Sequence, residues 1–209
     1  VRAIAARIVV PSLLSLFVAA CATAPTSRGP TGAGAAPSAD PQYAQACLTQ
    51  AIPVIQRQAA SLGFLRSAAE EYLLVRAQRP SDRLACNFQQ VNGGVPVQNY
   101  TYDVHLSANG EVLHSAGRYA PGAAKLSPVP KVSEIDIIER AMGDAATGLG
   151  VDEAFIAPPR LMLVPVTSVE FRLIYEVIAS KPGTPQALRI TYNADNGQKI
   201  GQYRINTGG

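Results

Sequence analysis

Between Ala22 and Pro41 the sequence has no large apolar side chain: 18 of the 20 residues in ATAPTSRGPTGAGAAPSADP are Ala, Pro, Thr, Ser or Gly. Such a stretch cannot bury enough apolar surface to offset the entropy of ordering it. It therefore separates a short leading segment from a folded part that begins at Tyr43. As a flexible chain it has a root-mean-square reach of about 25 Å. With 47% hydrophobic and 16% charged residues in a chain of 209, the remainder suffices for one or two modest domains.

Residues 1–20, VRAIAARIVVPSLLSLFVAA, place Arg2 and Arg7 ahead of an apolar run from Ile8 to Ala20. The run is too short to span a bilayer and reads as a signal peptide. It ends in Val18-Ala19-Ala20-Cys21, which resembles the lipobox of bacterial lipoproteins. That resemblance implies cleavage before Cys21 and acylation of its sulfur. Several acyl chains, at roughly 0.8 kcal/mol per buried methylene, would then hold the mature N-terminus in the membrane. The alternative is an ordinary Ala-x-Ala cleavage that leaves Cys21 a free thiol. Ala22 after the cysteine resembles the outer-membrane sorting pattern, so the expected location is the bacterial envelope, on the outer membrane facing the periplasm.

The formal charge is +3. Cleavage removes Arg2, Arg7 and no acid, so most of that excess belongs to export. A nearly neutral remainder lacks the concentrated basic charge that phosphate binding needs, and nucleic acid is not an expected partner. Two histidines, three cysteines and the lack of a His-Glu-x-x-His pair argue against zinc catalysis. No serine has a credible triad. The paired acids Glu70/Glu71 and Asp152/Glu153 read as solvated loop or helix ends, so no enzyme activity and no cofactor are expected.

From Tyr43 onward two similar blocks follow, each a helix and then strands, which predicts an α+β fold of two small modules. Their expected limits are 43–120 and 132–209, with the Pro-rich PGAAKLSPVPK (121–131) as linker after a tether at 21–42. In the first block AIPVIQRQAASLGF predicts a helix with Pro53 in its first turn, Ile55, Ala59 and Leu62 on one face, and Gly63 at its end. YLLVRA (72–77) and LACNFQQ (84–90) flank the turn-rich RPSD. Val95-Pro96-Val97 precedes YTYDVHLS (100–107), whose apolar residues alternate with polar ones as in a half-buried antiparallel strand. Asn109-Gly110 predicts a two-residue type I′ turn. In the second block Ser133 is the expected N-cap of a helix carrying Ile137, Ile138, Ala141 and Met142, with Gly143 or Gly148 ending it. Strands are expected at 160–166, 171–179, 188–193 and 199–205, the last two joined at Asn196-Gly197. The recurrence of helix and Asn-Gly hairpin reads as a weak internal duplication.

FQQVNGGVPVQNYTYDVHLSANGEVLHSAGRY resembles the fungalysin/thermolysin propeptide (FTP) domain. VSEIDIIERAM, FRLIYEVIA and LRITYNADNGQKIGQYRI resemble the PepSY domain. The order is that of pro-regions in thermolysin-like metallopeptidases, which help the peptidase fold and cover its cleft until removed. The resemblance spans residues 50–206 and implies a membrane-tethered inhibitor or folding chaperone acting in trans on such a peptidase. A truncated pro-region of a zinc metallopeptidase precursor, with the reading frame continuing past Gly209, is a second reading. An envelope lipoprotein binding another peptide or ligand is a third.

With Cys21 committed to lipid, Cys47 just before the first helix and Cys86 on the face of Leu84 and Phe88 are expected to pair in an oxidising periplasm; the alternative is two buried thiols. The two-residue turn would pair Ala108 with Glu111, Leu106 with Leu113 and His105 with His114. Two imidazoles about 5 Å apart at Cβ could grip a metal with Asp103 diagonal as third ligand, although a solvated polar face is the simpler expectation and no metal is expected. Gln89, Gln90, Gly94, Val95, Pro96 and Val97 carry the FTP pattern, as turn-formers or as interface. Pro96 suits an edge strand, and an edge could accept a partner segment by β-augmentation. By the same resemblance the tail Arg204, Ile205 and Asn206 is expected near a peptidase cleft.

Overall fold

The computed structural model describes residues 40–61 and 67–206. The signal segment, Cys21, nearly all of the tether, Leu62, Gly63 and the last three residues lie outside the described residues. In chain order the elements are α1 (Pro41–Ser61), α2 (Ala68–Glu71), β1 (Tyr72–Gln78), β2 (Leu84–Asn92), β3 (Val95–Leu106) and β4 (Val112–Gly117). A 3-10 turn (Ala123–Lys125) leads to α3 (Glu134–Leu149), β5 (Phe155–Ile156), β6 (Arg160–Pro165), β7 (Phe171–Ser180), β8 (Gln186–Asn193) and β9 (Lys199–Asn206).

The first helix starts earlier than its apolar spacing suggests. Asp40 accepts a hydrogen bond from Gln42 N at 3.1 Å and Pro41 takes the first helical position, where its missing N–H costs nothing. Pro53 therefore lies inside the helix, on its exposed side, and Cys47 lies on the helix rather than before it. The buried residues Cys47, Ala51, Val54 and Ile55 fall at helical spacing on one stripe.

In α3, Ser133 Oγ accepts from Asp136 N at 3.2 Å, the expected cap. The helix continues past Gly143 and Gly148 to Leu149, and Gly150 closes it in the left-handed conformation at φ 63°. Gly148 serves close approach instead of termination: a Cβ there would collide with Gln202 and Leu188.

The fold is α+β, built on a nine-stranded sheet in the order β1-β2-β3-β6-β7-β8-β9, with β4 beside β3 and β5 beside β7. Every strand pair is antiparallel except β3 with β6, which run parallel at Val97 and Leu163. The two blocks thus share one sheet. VPV and YTYDVHLS, separate in the sequence reading, form one strand that bends at Asn99, where φ is 64°, opposite a register shift between Gln89 and Val91. One end of β3 supplies Tyr102, Val104 and Leu106 to a core under α1. Its other end supplies Val95 and Val97 to a second core under α3, which also takes Ala120 and Ala123 from the linker region. Apolar packing therefore crosses the expected boundary at 121–131.

Along β3, β6, β7 and β8, the residues facing α3 (Val97, Leu163, Tyr175, Ile190) alternate with residues of the opposite face (Pro96, Met162, Glu176, Arg189). Gln89 of β2 lines a cleft with these last four. The helix-free faces of the two blocks are therefore continuous.

Candidate functional site

The FTP-pattern residues form a set of straps where the two blocks meet. Gln90 is fully buried; its Oε1 accepts from Ala120 N at 2.8 Å and its Nε2 donates to Ala120 O at 3.2 Å. Asn92 is buried too, and donates through Nδ2 to Ala123 O at 2.9 Å and Leu126 O at 2.8 Å. Together they hold the start of the linker against β2. Gln89 Nε2 donates to Val97 O at 2.6 Å and Tyr100 O at 2.9 Å, spanning the bend in β3. Gly93 and Gly94 have φ of 56° and 83°, a turn that side chains disfavour. Sequence reasoning missed Asn92; its position two residues beyond Gln90 and directly before Gly-Gly was the available sign.

Pro96 is not on an edge. It pairs with Val91 of β2, while its neighbour Val97 pairs with Leu163 of β6, because the sheet continues through β3 into the second block. Arg204, Ile205 and Asn206 do not form a loose tail: they pair with Leu188, Ala187 and Gln186 as part of β9, and Arg204 Nη2 donates to Gly148 O at 3.2 Å. Insertion of these three residues into a cleft would break strand pairing. What β9 offers instead is a sheet edge.

His105 and His114 are cross-strand partners, with ring centroids 5.7 Å apart. The route to that pairing differs from a two-residue turn. Ser107 N donates to Glu111 O at 2.8 Å and Gly110 N to Ser107 O at 3.0 Å, which encloses three loop residues. Only Gly110 has positive φ, at 82°, whereas a type I′ turn needs it at both central positions. Leu106 consequently pairs with Val112 instead of Leu113, and a bulge at the next step restores the register for the histidines. The Asp103 carboxylate accepts a hydrogen bond from Asn87 on β2. No group of three or more His, Cys, Asp or Glu side chains that could hold a metal occurs among the described residues.

Cys47 and Cys86 form a disulfide that ties α1 to β2 in a fully buried setting. At the other end of the molecule Tyr192 OH donates to Asp144 Oδ2 at 2.7 Å and Lys199 Nζ donates to Asp144 Oδ1 at 2.7 Å. Burial pushes the Asp144 carboxyl up, but the hydrogen bonds from Lys199 and Tyr192 outweigh it and hold the group below its ordinary value. Burial and the Asp144 carboxylate push the Tyr192 phenol well above its own. This cluster pins α3 to β8 and β9. Among the described residues, no helix is long and apolar enough to cross a membrane.

Residues 86–119 match the family described as Fungalysin/Thermolysin Propeptide Motif. The match runs from Cys86 in β2 through β3 and β4 to Tyr119, and includes the Gln89, Gln90 and Asn92 straps. No curated protein matches the chain. Among solved structures the chain is similar to the Bacillus megaterium YpeB C-terminal domain, at 17% identity and TM-score 0.31, covering 76% of this chain and 65% of that one. It is also similar to CD1622 from Clostridium difficile 630 (12%, TM-score 0.31, covering 73% and 90%) and to a BLIP-like protein, BF1215, from Bacteroides fragilis NCTC 9343 (9%, TM-score 0.27, covering 75% and 88%). The chain spans less than two thirds of the YpeB domain chain.

Proposed function

We propose that this chain is a propeptide-like binding protein that acts in trans on a thermolysin-like metallopeptidase, as inhibitor or folding chaperone, from a lipid anchor at Cys21 on the periplasmic side of the outer membrane. The observation that supports this reading is the propeptide-motif match over residues 86–119, joined to the PepSY-like sequence of the second block. A rigid junction suits the role. The Gln90 and Asn92 straps and the shared sheet hold the two blocks as one surface, and a pre-organised surface loses less ordering entropy on binding.

The test is to add the chain to a thermolysin-like enzyme, both active and freshly diluted from denaturant. Hydrolysis of a chromogenic dipeptide is expected to fall saturably in the first case or to recover faster in the second. No effect in either assay would count against the proposal. Mass spectrometry of the envelope-extracted protein is expected to find a diacylglyceryl thioether on Cys21; an intact Val1 would remove the anchor.

A further inference from the structure

The helix-free face of the sheet carries two arginines around one carboxylate where the blocks meet. Arg160 on β6 is the direct cross-strand partner of Glu176 on β7, and Arg189 on β8 reaches the same carboxylate, Nη1 to Oε2 at 3.6 Å. The Arg189 guanidinium is further fixed over the Tyr203 ring, 5.6 Å from its centroid. Its Nε is buried with no hydrogen-bond partner, a costly state for a charged donor. Arg160 makes no side-chain hydrogen bond or ion pair among the described residues. Two arginines against one carboxylate leave this cleft with a net positive charge beside an unsatisfied donor.

These groups line a cleft of about 270 Å³ with Gln89 and Gln98. It shares Gln98, Met162 and Glu176 with an adjoining groove of about 390 Å³, lined by Val164, Ile174, Ile200 and Tyr203. Ile200 and Tyr203 are half exposed, whereas Met162 and Ile174 form an almost buried floor. A fork of guanidinium donors matches a carboxylate in geometry as well as charge, and the groove beside it suits an apolar side chain.

We propose that this paired cleft is a recognition site for an extended peptide segment of a partner protein, one that carries an Asp or Glu next to a large apolar residue. The carboxylate lies between Arg160 and Arg189, and the apolar neighbour lies against Ile200 and Tyr203. Residues 1–39 contain no Asp or Glu, and Asp40 at the end of the tether is held at the start of α1 by Gln42, so the chain's own leader and tether do not supply the carboxylate. The site stands on the two arginines and the groove, and does not depend on the partner being a peptidase.

The experiment is an NMR titration of the arginine Nε–Hε resonances. 3-Phenylpropionate is expected to shift both the Arg160 and Arg189 signals saturably, and 3-phenylpropionamide to leave them in place. The capped peptide acetyl-Leu-Glu-Phe-amide is expected to bind at least tenfold more tightly than the free acid, and its Gln counterpart to lose that gain. Arg160→Gln and Arg189→Gln should each weaken binding tenfold or more, with amide spectra showing an intact fold; Arg189→Lys replaces the latter if it fails to fold. Unmoved guanidinium signals, equal response to acid and amide, or binding kept in both variants would overturn the site. Free acid binding as tightly as the peptide would overturn the peptide assignment and leave a small-acid site.

Discussion

The Gln90 side chain and the Ala120 peptide are joined by a reciprocal pair of hydrogen bonds, with Ala120 N donating at 2.8 Å and Ala120 O accepting at 3.2 Å. Both residues are almost wholly excluded from water, so neither peptide group has an alternative partner in solvent. This contact turns the chain from the first core into the second.

Replacing Gln90 with Leu keeps much of the volume and strands both Ala120 groups. An unsatisfied buried donor or acceptor costs about 1–3 kcal/mol, so with two of them stranded Gln90→Leu is expected to destabilise by roughly 2–6 kcal/mol on that principle. Ionised, Gln90→Glu keeps an acceptor for Ala120 N but sets a carboxylate oxygen against Ala120 O, and is expected to destabilise at least as much as Gln90→Leu at neutral pH. Urea denaturation followed by circular dichroism measures both variants. An unchanged midpoint in Gln90→Leu would show that the linker is held by other contacts.

The disulfide closes a sequence separation of 39 residues. In the chain-entropy account, removing a cross-link of that span costs about 4 kcal/mol. The Cys47→Ala/Cys86→Ala double variant is expected to unfold at clearly lower denaturant than the oxidised protein, and the reduced wild type to behave alike. Cys47 is anchored on α1, so amide exchange should speed most there and on the facing strand. Equal midpoints with and without reductant would contradict the assignment of this bridge to the stability of the first core.

Asp144 gives a pH-dependent contribution with a defined sign. Its carboxyl is held below the ordinary value of 3.8 by Lys199 and Tyr192 acting against burial. A depressed folded-state pKa stabilises the fold above the unfolded-state value and loses that contribution as pH falls through the folded one. Asp144→Asn should therefore be less stable than wild type near neutrality, with the gap closing as pH drops below about 4. Denaturation midpoints across that range measure it; a gap that widens toward low pH would reverse the sign.

Local chemistry made much of the secondary structure legible. The alternation in YTYDVHLS, the strands β6 to β9 and the Ser133 cap each depend on residues within a few positions of one another, where pleat and capping rules act. The hairpin at Asn109-Gly110 was legible as a reversal but not in its length, because the difference between a two- and a three-residue loop rests on whether Asn109 adopts positive φ. The His105–His114 pairing survived because the bulge beside Leu106 offsets the extra loop residue. The start of α1 is not where Pro53 suggests, because Asp40-Pro41 supplies an earlier first turn and Pro53 is accommodated within the helix.

What the sequence by itself determined is the α+β class, the propeptide motif over 86–119 and the pairing of hairpin strands. The tertiary structure decided that β3 serves two cores, that Pro96 is interior and that Arg204–Asn206 belong to a strand. It also brought Arg160, Glu176 and Arg189 together beside Gln89. That β3 serves two cores, that Pro96 is interior and that Gln89 lies beside the arginines follow from one parallel contact, Val97 with Leu163, which joins segments far apart in sequence. No local pattern encodes such a contact, because it is chosen by how two apolar faces bury each other.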